Sequence, residues 1–193
     1  MKNWEAELPT GYRESLVIDA KNDKRLLLRM NLAALVAPVL FLCVGFVWLC
    51  RQEAVVEYTL WRSWAFMLAL VLYIVLHELV HGAAYKALTG QKLTFGLTLT
   101  VAFCGVPQIY VYRKAALIAV LAPFVVFTIV FGLAAVLLRN VWDQFYAFTL
   151  LGLHIGGCTG DLYNTWLYLT RFKDPRTLTR DTGPIQMFYV PEV

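Results

Sequence analysis

The chain has 193 residues, of which 60% are hydrophobic and only 16% are charged, and its mean hydropathy is +0.61. This balance excludes an ordinary soluble domain and predicts a single polytopic membrane domain over residues 1–193. The net charge of +4 is spread over the polar segments without a basic run, which argues against nucleic acid as a partner.

A polar segment, residues 1–31, precedes the apolar sequence. It carries both charge signs and is longer than the positive region of a signal peptide, so we expect it to stay on the protein. Four apolar stretches follow, each of about twenty residues and long enough to cross a hydrocarbon layer roughly 30 Å thick. We place these spans at about 32–50, 64–88, 115–138 and 146–169, ahead of a polar tail at 171–193.

Lysine and arginine are distributed unevenly between the two sides that four spans would define. Of these 17 residues, fourteen belong to the N-terminal segment, the second connection with the adjoining end of span two, and the tail, and three belong to the other two connections. The positive-inside rule then places both termini and the second connection in the cytoplasm. We expect a multi-pass protein of the plasma (inner) membrane of a bacterium.

The connection between spans two and three has the pattern of β-structure. Residues 92–101 alternate strictly between apolar and polar or small side chains, which is typical of a strand. Turn residues at Gly105 and Pro107 lead into a second β-rich run at 108–112, so a hairpin is predicted. The expected fold is an all-α membrane protein of four transmembrane helices with one small β-hairpin. The hairpin is either a structural plug or a docking edge for an extended peptide.

The second span contains the pentapeptide HELVH at residues 77–81. Residues four apart lie on one helix face, so His77 and His81 can bind one zinc ion together. Glu78 can reach a zinc-bound water, take its proton as general base and later return it to a leaving amine. HExxH on a helix is the zincin signature. Ionisable groups at mid-membrane cost about 3 kcal/mol each, which favours a metal site over a polar cluster that merely joins helices.

A catalytic zinc ion needs a third protein ligand, and the remaining candidates within the spans are His154 and Asp161. At a rise of about 1.5 Å per residue, the HELVH histidines lie roughly 20 to 26 Å from the outer boundary of the membrane. On the same scale Asp161 lies at about 22 Å and His154 at about 12 Å. We therefore expect Asp161 to be the third ligand.

His154 has three possible roles. It could hydrogen-bond to a metal ligand without binding the metal, donate a hydrogen bond in the transition state, or serve as a hydrogen-bonded histidine between helices. Gly152, Gly156 and Gly160 form small-xxx-small steps on the same span, which allow two helix backbones to approach closely. We expect that approach to be against Gly82 and Ala83, although generic packing away from the site is an equal alternative.

This chain has HELVHG in one span, an alternating β segment, LAPF (residues 121–124) in the next span and an aspartate in the last. In this order they resemble the core of the site-2 protease-like intramembrane metalloproteases. More narrowly, the chain is similar to small bacterial membrane proteins described as "putative zincin peptidases". The resemblance covers about residues 64–169 and implies that His77, His81 and Asp161 hold zinc while Glu78 activates water. The usual asparagine–proline element before LDG is missing, and residues 157–164 read GCTGDLYN. The oxyanion-stabilising group is therefore open, with Asn164 as a candidate.

The predicted function is membrane-embedded proteolysis with one Zn²⁺ ion, acting on a membrane protein or peptide at bonds in or near the bilayer. The alternative is a non-catalytic zinc-binding scaffold or regulator that retains HExxH. A transporter is disfavoured because no inverted repeat is detectable. A membrane di-iron oxidase is disfavoured because the chain has only three histidines.

Overall fold

The computed structural model describes residues 2–19, 22–52, 58–97 and 102–192. Within these ranges the chain forms five helices and seven strands. The helices are α1 (Lys24–Cys50), α2 (Leu60–Thr89), α3 (Arg113–Leu137), α4 (Val141–Gly157) and α5 (Thr159–Thr170). The strands are β1 (Trp4–Glu5), β2 (Tyr12–Asp19), β3 (Thr94–Leu97), β4 (Ala102–Gly105), β5 (Tyr110–Tyr112), β6 (Leu178–Asp181) and β7 (Ile185–Pro191).

The helix ends follow from local side-chain chemistry. Asp23 precedes α1, and its Oδ1 accepts the backbone N–H groups of Arg25 and Leu26 at 3.1 and 3.0 Å. Asn140 caps α4 in the same way by accepting the N–H of Trp142 at 2.9 Å. After α2, Gly90 has a φ of +69° and its N–H bonds to the carbonyl of Lys86. A left-handed glycine of this kind satisfies the last carbonyls of a helix and ends it.

Three of the described helices, α1, α2 and α3, are long and apolar enough to cross a membrane, as expected for a membrane protein. The fourth span predicted at 146–169 is wrong as a single helix. The chain there forms α4 and α5, which break at Cys158. The Cys158 N–H bonds back to the carbonyl of His154, and the Thr159 hydroxyl donates to the carbonyl of Gly156. Adjacent glycines at the end of α4 favour this break, because glycine is a poor helix former.

The all-α fold class is also wrong, because a five-stranded antiparallel sheet forms in the order β1-β5-β6-β7-β2. Four of its strands come from the N-terminal segment and the tail, which the sequence analysis treated only as polar segments, and the fifth comes from the run at 108–112, which it assigned to the hairpin. The register pairs Tyr12 with Pro191 and Val111 with Thr179. These partners are far apart in the sequence, so no local sequence pattern predicts their pairing.

The predicted hairpin between the second and third helices exists, but its second strand was assigned wrongly. β3 pairs with β4, with Phe95 opposite Cys104. The run at 108–112 instead supplies β5, which lies between β1 and β6 in the larger sheet. Residues 98–101 of the predicted first strand lie outside the described residues.

The structure divides into two compact units, and the first comprises Met1–Leu28, Leu76–Pro123 and Asp161–Val193. Its apolar core joins the larger sheet to the C-terminal half of α2, the N-terminal half of α3, and α5. Phe188 on β7 stacks on Phe172 with ring centroids 4.5 Å apart and contacts Tyr168 on α5. This core fixes the helix segments that carry HELVH and Asp161 relative to one sheet.

The second unit comprises Arg29–Val75 and Phe124–Gly160, and within it α4 packs closely on α1. The space beside Gly152 is filled by Phe41, and that beside Gly156 by the Ala34 carbonyl and Pro38. The expectation that these glycines pack against Gly82 and Ala83 is therefore wrong. Gly82 belongs to the first unit, where a Cβ at that position would lie 2.7 Å from the Phe95 ring of the hairpin.

We expect Gly156→Ala to destabilise the protein, because the added Cβ would overlap the backbone carbonyl oxygen of Ala34. Overpacking of this kind costs about 1–3 kcal/mol. Gly160→Ala is the matched control, since its Cβ would lie 3.6 Å from the flexible end of Met30. The measurement is the unfolding free energy in detergent, and equal stability of the two variants would contradict the close approach of α1 and α4.

Candidate metal centre

His77 and His81 lie on one face of α2, as their spacing requires. Their ring centroids are 4.9 Å apart with an interplanar angle of 76°. Both side chains are buried, with only 8% of each residue exposed. Two imidazoles held at this separation and shielded from solvent can share one cation.

Asp161 lies in the first turn of α5 and faces both histidines. Its Oδ2 is 3.3 Å from His77 Nε2, and its Oδ1 is 3.4 Å from His81 Nε2. One ligand atom from each of the three residues lies within 4.8 Å of the other two. The structure therefore brings together the three residues that the sequence analysis proposed as metal ligands.

The spacing of the three side chains suits a zinc ion. Zinc binds imidazole nitrogen and carboxylate oxygen at about 2.0–2.1 Å, so its ligand atoms lie only a few ångströms from one another. His77 Nε2 faces one oxygen of the Asp161 carboxylate at 3.3 Å, and His81 Nε2 faces the other at 3.4 Å. Two nitrogens and one carboxylate are also the ligand types that zinc accepts in catalytic sites.

The second ring nitrogen of His81 is held by α3. Its Nδ1 lies 2.9 Å from the carbonyl oxygen of Ala119. A carbonyl can only accept, so Nδ1 donates, which leaves Nε2 to face Asp161. In the neutral ring Nε2 carries a lone pair that can bind a cation, and in the protonated ring it donates to the carboxylate. Hydrogen bonds from the distal nitrogen to a carbonyl are typical of histidines that bind metals.

Glu78 lies beside the ligand atoms and is partly buried. The backbone of Cys104 on β4 donates a hydrogen bond to its carboxylate. The β3–β4 hairpin thus orients the predicted general base. Burial raises the pKa of the Cys104 thiol to about 12.

His154 is completely buried in the second unit, where several polar groups contact its ring. Tyr73 Oη lies 3.0 Å from Nδ1, and the carbonyl of Phe124 and the hydroxyl of Thr128 each lie 3.2 Å from Nε2. Because the carbonyl can only accept, Nε2 donates, and in the neutral ring Nδ1 accepts from Tyr73. Of the three roles considered, this pattern favours a hydrogen-bonded histidine between helices.

Asn164 lies one turn after Asp161 on α5. Its Oδ1 is buried and has no hydrogen-bond partner among the described residues. An oxyanion needs a donor, so any such role would fall to the other side-chain atom, Nδ2. The proposed contribution of Asn164 to oxyanion stabilisation stays a prediction.

The sequence analysis missed a buried aspartate close to the site. Asp181 at the end of β6 accepts the Tyr85 hydroxyl at 2.8 Å and the Gly183 N–H at 2.8 Å. Desolvation raises the pKa of this carboxyl group. Tyr85 is four residues after His81 and therefore lies on the same face of α2. This spacing was the sequence signal that could have drawn attention to Tyr85. The pair ties the HELVH helix to the larger sheet.

A family model described as "Putative zincin peptidase" matches residues 69–175. The match covers more than half of the chain and includes HELVH and Asp161. The chain belongs to this family. Searches of curated proteins and of solved structures gave no match. This match confirms the narrower resemblance to the "putative zincin peptidases", and the family description suggests a metallopeptidase and implies zinc.

Proposed function

We propose that the protein is a membrane-embedded zinc metallopeptidase that hydrolyses peptide bonds in or near the membrane. The observation that carries this proposal is the convergence of His77, His81 and Asp161, with Glu78 beside them. Family membership supports a peptidase, and the three long apolar helices support a membrane location.

The zinc ion would be held by Nε2 of His77, Nε2 of His81 and the carboxylate of Asp161. When bound, zinc polarises the carbonyl of the scissile bond and makes a nearby water more acidic. The Ala119 carbonyl holds the His81 ring in the orientation needed for binding.

Glu78 would carry the proton transfers. Its carboxylate takes a proton from the attacking water as the oxygen adds to the peptide carbonyl carbon. The protonated Glu78 then returns that proton to the amide nitrogen as the carbon–nitrogen bond breaks. The hydrogen bond from the Cys104 backbone keeps the carboxylate in place through both steps.

The substrate would be a membrane protein or peptide, approached from the cytoplasmic side. β1 and β2 precede α1, β5 lies between α2 and α3, and β6 and β7 follow α5, yet all five pair in one sheet. This pairing supports a location of all five on one side of the membrane, as does their richness in Lys and Arg. HELVH lies in the half of α2 nearer that side. A helical substrate must unwind there, because its peptide bonds are hydrogen-bonded internally.

Removing the metal is expected to abolish cleavage reversibly. The test is purified protein in liposomes with a labelled single-span peptide, assayed before and after a zinc chelator and again after zinc is restored. Loss and recovery of cleavage are expected, with about one zinc ion per chain, since a single three-residue site is proposed. Bound zinc without turnover of a panel of single-span peptides would favour the zinc-binding scaffold instead.

A further inference from the structure

Pro123 lies inside α3, one turn after the carbonyl that His81 uses. In an α-helix the carbonyl of residue 119 accepts the N–H of residue 123. Proline has no N–H, so the Ala119 carbonyl lacks its usual partner within the helix. The proline ring also crowds the carbonyl four residues earlier, which turns that oxygen away from the helix axis.

The freed carbonyl is the one that faces His81. Its oxygen lies 2.9 Å from His81 Nδ1, and both Ala119 and His81 are buried. The carbonyl of α3 that contacts the metal-binding helix is thus the one that Pro123 leaves without its usual partner. The contact is made by the backbone of Ala119 rather than by its side chain. A regular helix would commit this oxygen to its own hydrogen-bond ladder.

We propose that Pro123 is a positioning residue for the metal centre, because it releases the Ala119 carbonyl to accept the His81 Nδ1–H. The bond fixes the ring so that Nε2 points toward Asp161. This inference rests on the proposed zinc site. It goes beyond that site by explaining why an intramembrane helix carries a proline at this position.

Pro123→Ala tests the inference, with Pro38→Ala as the matched control. Alanine at 123 restores an N–H that competes for the Ala119 carbonyl. Pro38 is likewise inside a long apolar helix, α1, which contributes no residue to the site. Zinc affinity, measured by competition with a chelating dye, is expected to fall about 10-fold to 100-fold in Pro123→Ala, the usual loss when the group supporting a histidine ligand is removed. Pro38→Ala is expected to stay within about twofold of the parent protein on the same scale.

A second measurement reports the hydrogen bond without zinc. The chain has three histidines, so ¹⁵N-histidine labelling gives an assignable spectrum once His77→Gln and His154→Gln are compared with the parent protein. A strongly downfield Nδ1–H proton of His81 is expected in the zinc-free parent protein and in Pro38→Ala. In Pro123→Ala this signal is expected to move upfield or disappear by exchange with water.

The two readouts separate failure of this inference from failure of the proposed function. Parent-like zinc affinity or a parent-like His81 signal in Pro123→Ala would overturn the role of Pro123 while leaving the zinc site intact. A parent protein that takes up no zinc would overturn the proposed function. In that case the His81 signal alone would still decide whether Pro123 controls the hydrogen bond.

Discussion

Replacing Asp161 with asparagine is expected to lower zinc affinity by at least about 100-fold, more than the loss typical of a group that only supports a ligand. The side chain keeps its shape, but a neutral amide replaces the carboxylate whose oxygens lie 3.3 and 3.4 Å from the two histidines. Two imidazoles alone leave zinc short of the three protein ligands typical of a catalytic site. The measurement is zinc competition in detergent, with metal content determined by mass spectrometry.

Asp143→Asn is the control for this substitution. Asp143 lies in the first turn of α4, pairs with Arg62 and is partly buried, so its environment resembles that of Asp161 without the histidines. This variant and His154→Ala are expected to bind zinc like the parent protein. Parent-like zinc binding in Asp161→Asn together with loss in His154→Ala would show that the ligand set is wrong.

Replacing Glu78 with glutamine is expected to abolish cleavage while leaving zinc in place. Loss of the general base lowers the rate by about 10²-fold to 10⁴-fold, since a glutamine side chain cannot accept the proton. The amide oxygen can still accept the Cys104 N–H, and no proposed ligand atom changes. The measurements are the cleavage rate of a single-span peptide and the zinc content of the same preparation.

Glu7→Gln makes the same chemical change at an exposed position and is expected to leave both measurements unaltered. Loss of zinc from Glu78→Gln would mean that Glu78 supports or binds the metal. Unchanged cleavage in that variant would exclude Glu78 as the base. Either result would require a different mechanism for the proposed peptidase.

The core of the candidate site could be predicted because it depends on local helix geometry. The spacing of His77 and His81 fixes their common face whatever surrounds the helix. Asp161 could be matched to them by depth, since a helix rises by a constant amount per residue. Asp161 lies beside both histidines even though the helix breaks at Cys158, three residues before it.

The rest depends on partners that no local pattern specifies. β2 and β7 pair residues as distant as Tyr12 and Pro191, and period-two alternation does not identify a partner. The prediction of a single fourth helix was wrong because it used only length and hydropathy. These criteria do not take account of the two adjacent glycines and the helix cap at Cys158. The contact between the Ala119 carbonyl and His81 was missed because every residue has a backbone carbonyl, so the side-chain pattern does not identify this one. The available sequence signal was Pro123, which cannot donate a hydrogen bond to the Ala119 carbonyl.

The sheet order also dictates a sequence of events during biosynthesis. β2 is made before α1, but its partner in the sheet is β7, which is made after α5. All the proposed ligands have therefore been synthesised before β2 can pair. Strand pairing between such remote segments is intrinsically slow, because a long loop must close first. The helices that carry the site can therefore form before the pairing of β2 with β7 completes the sheet.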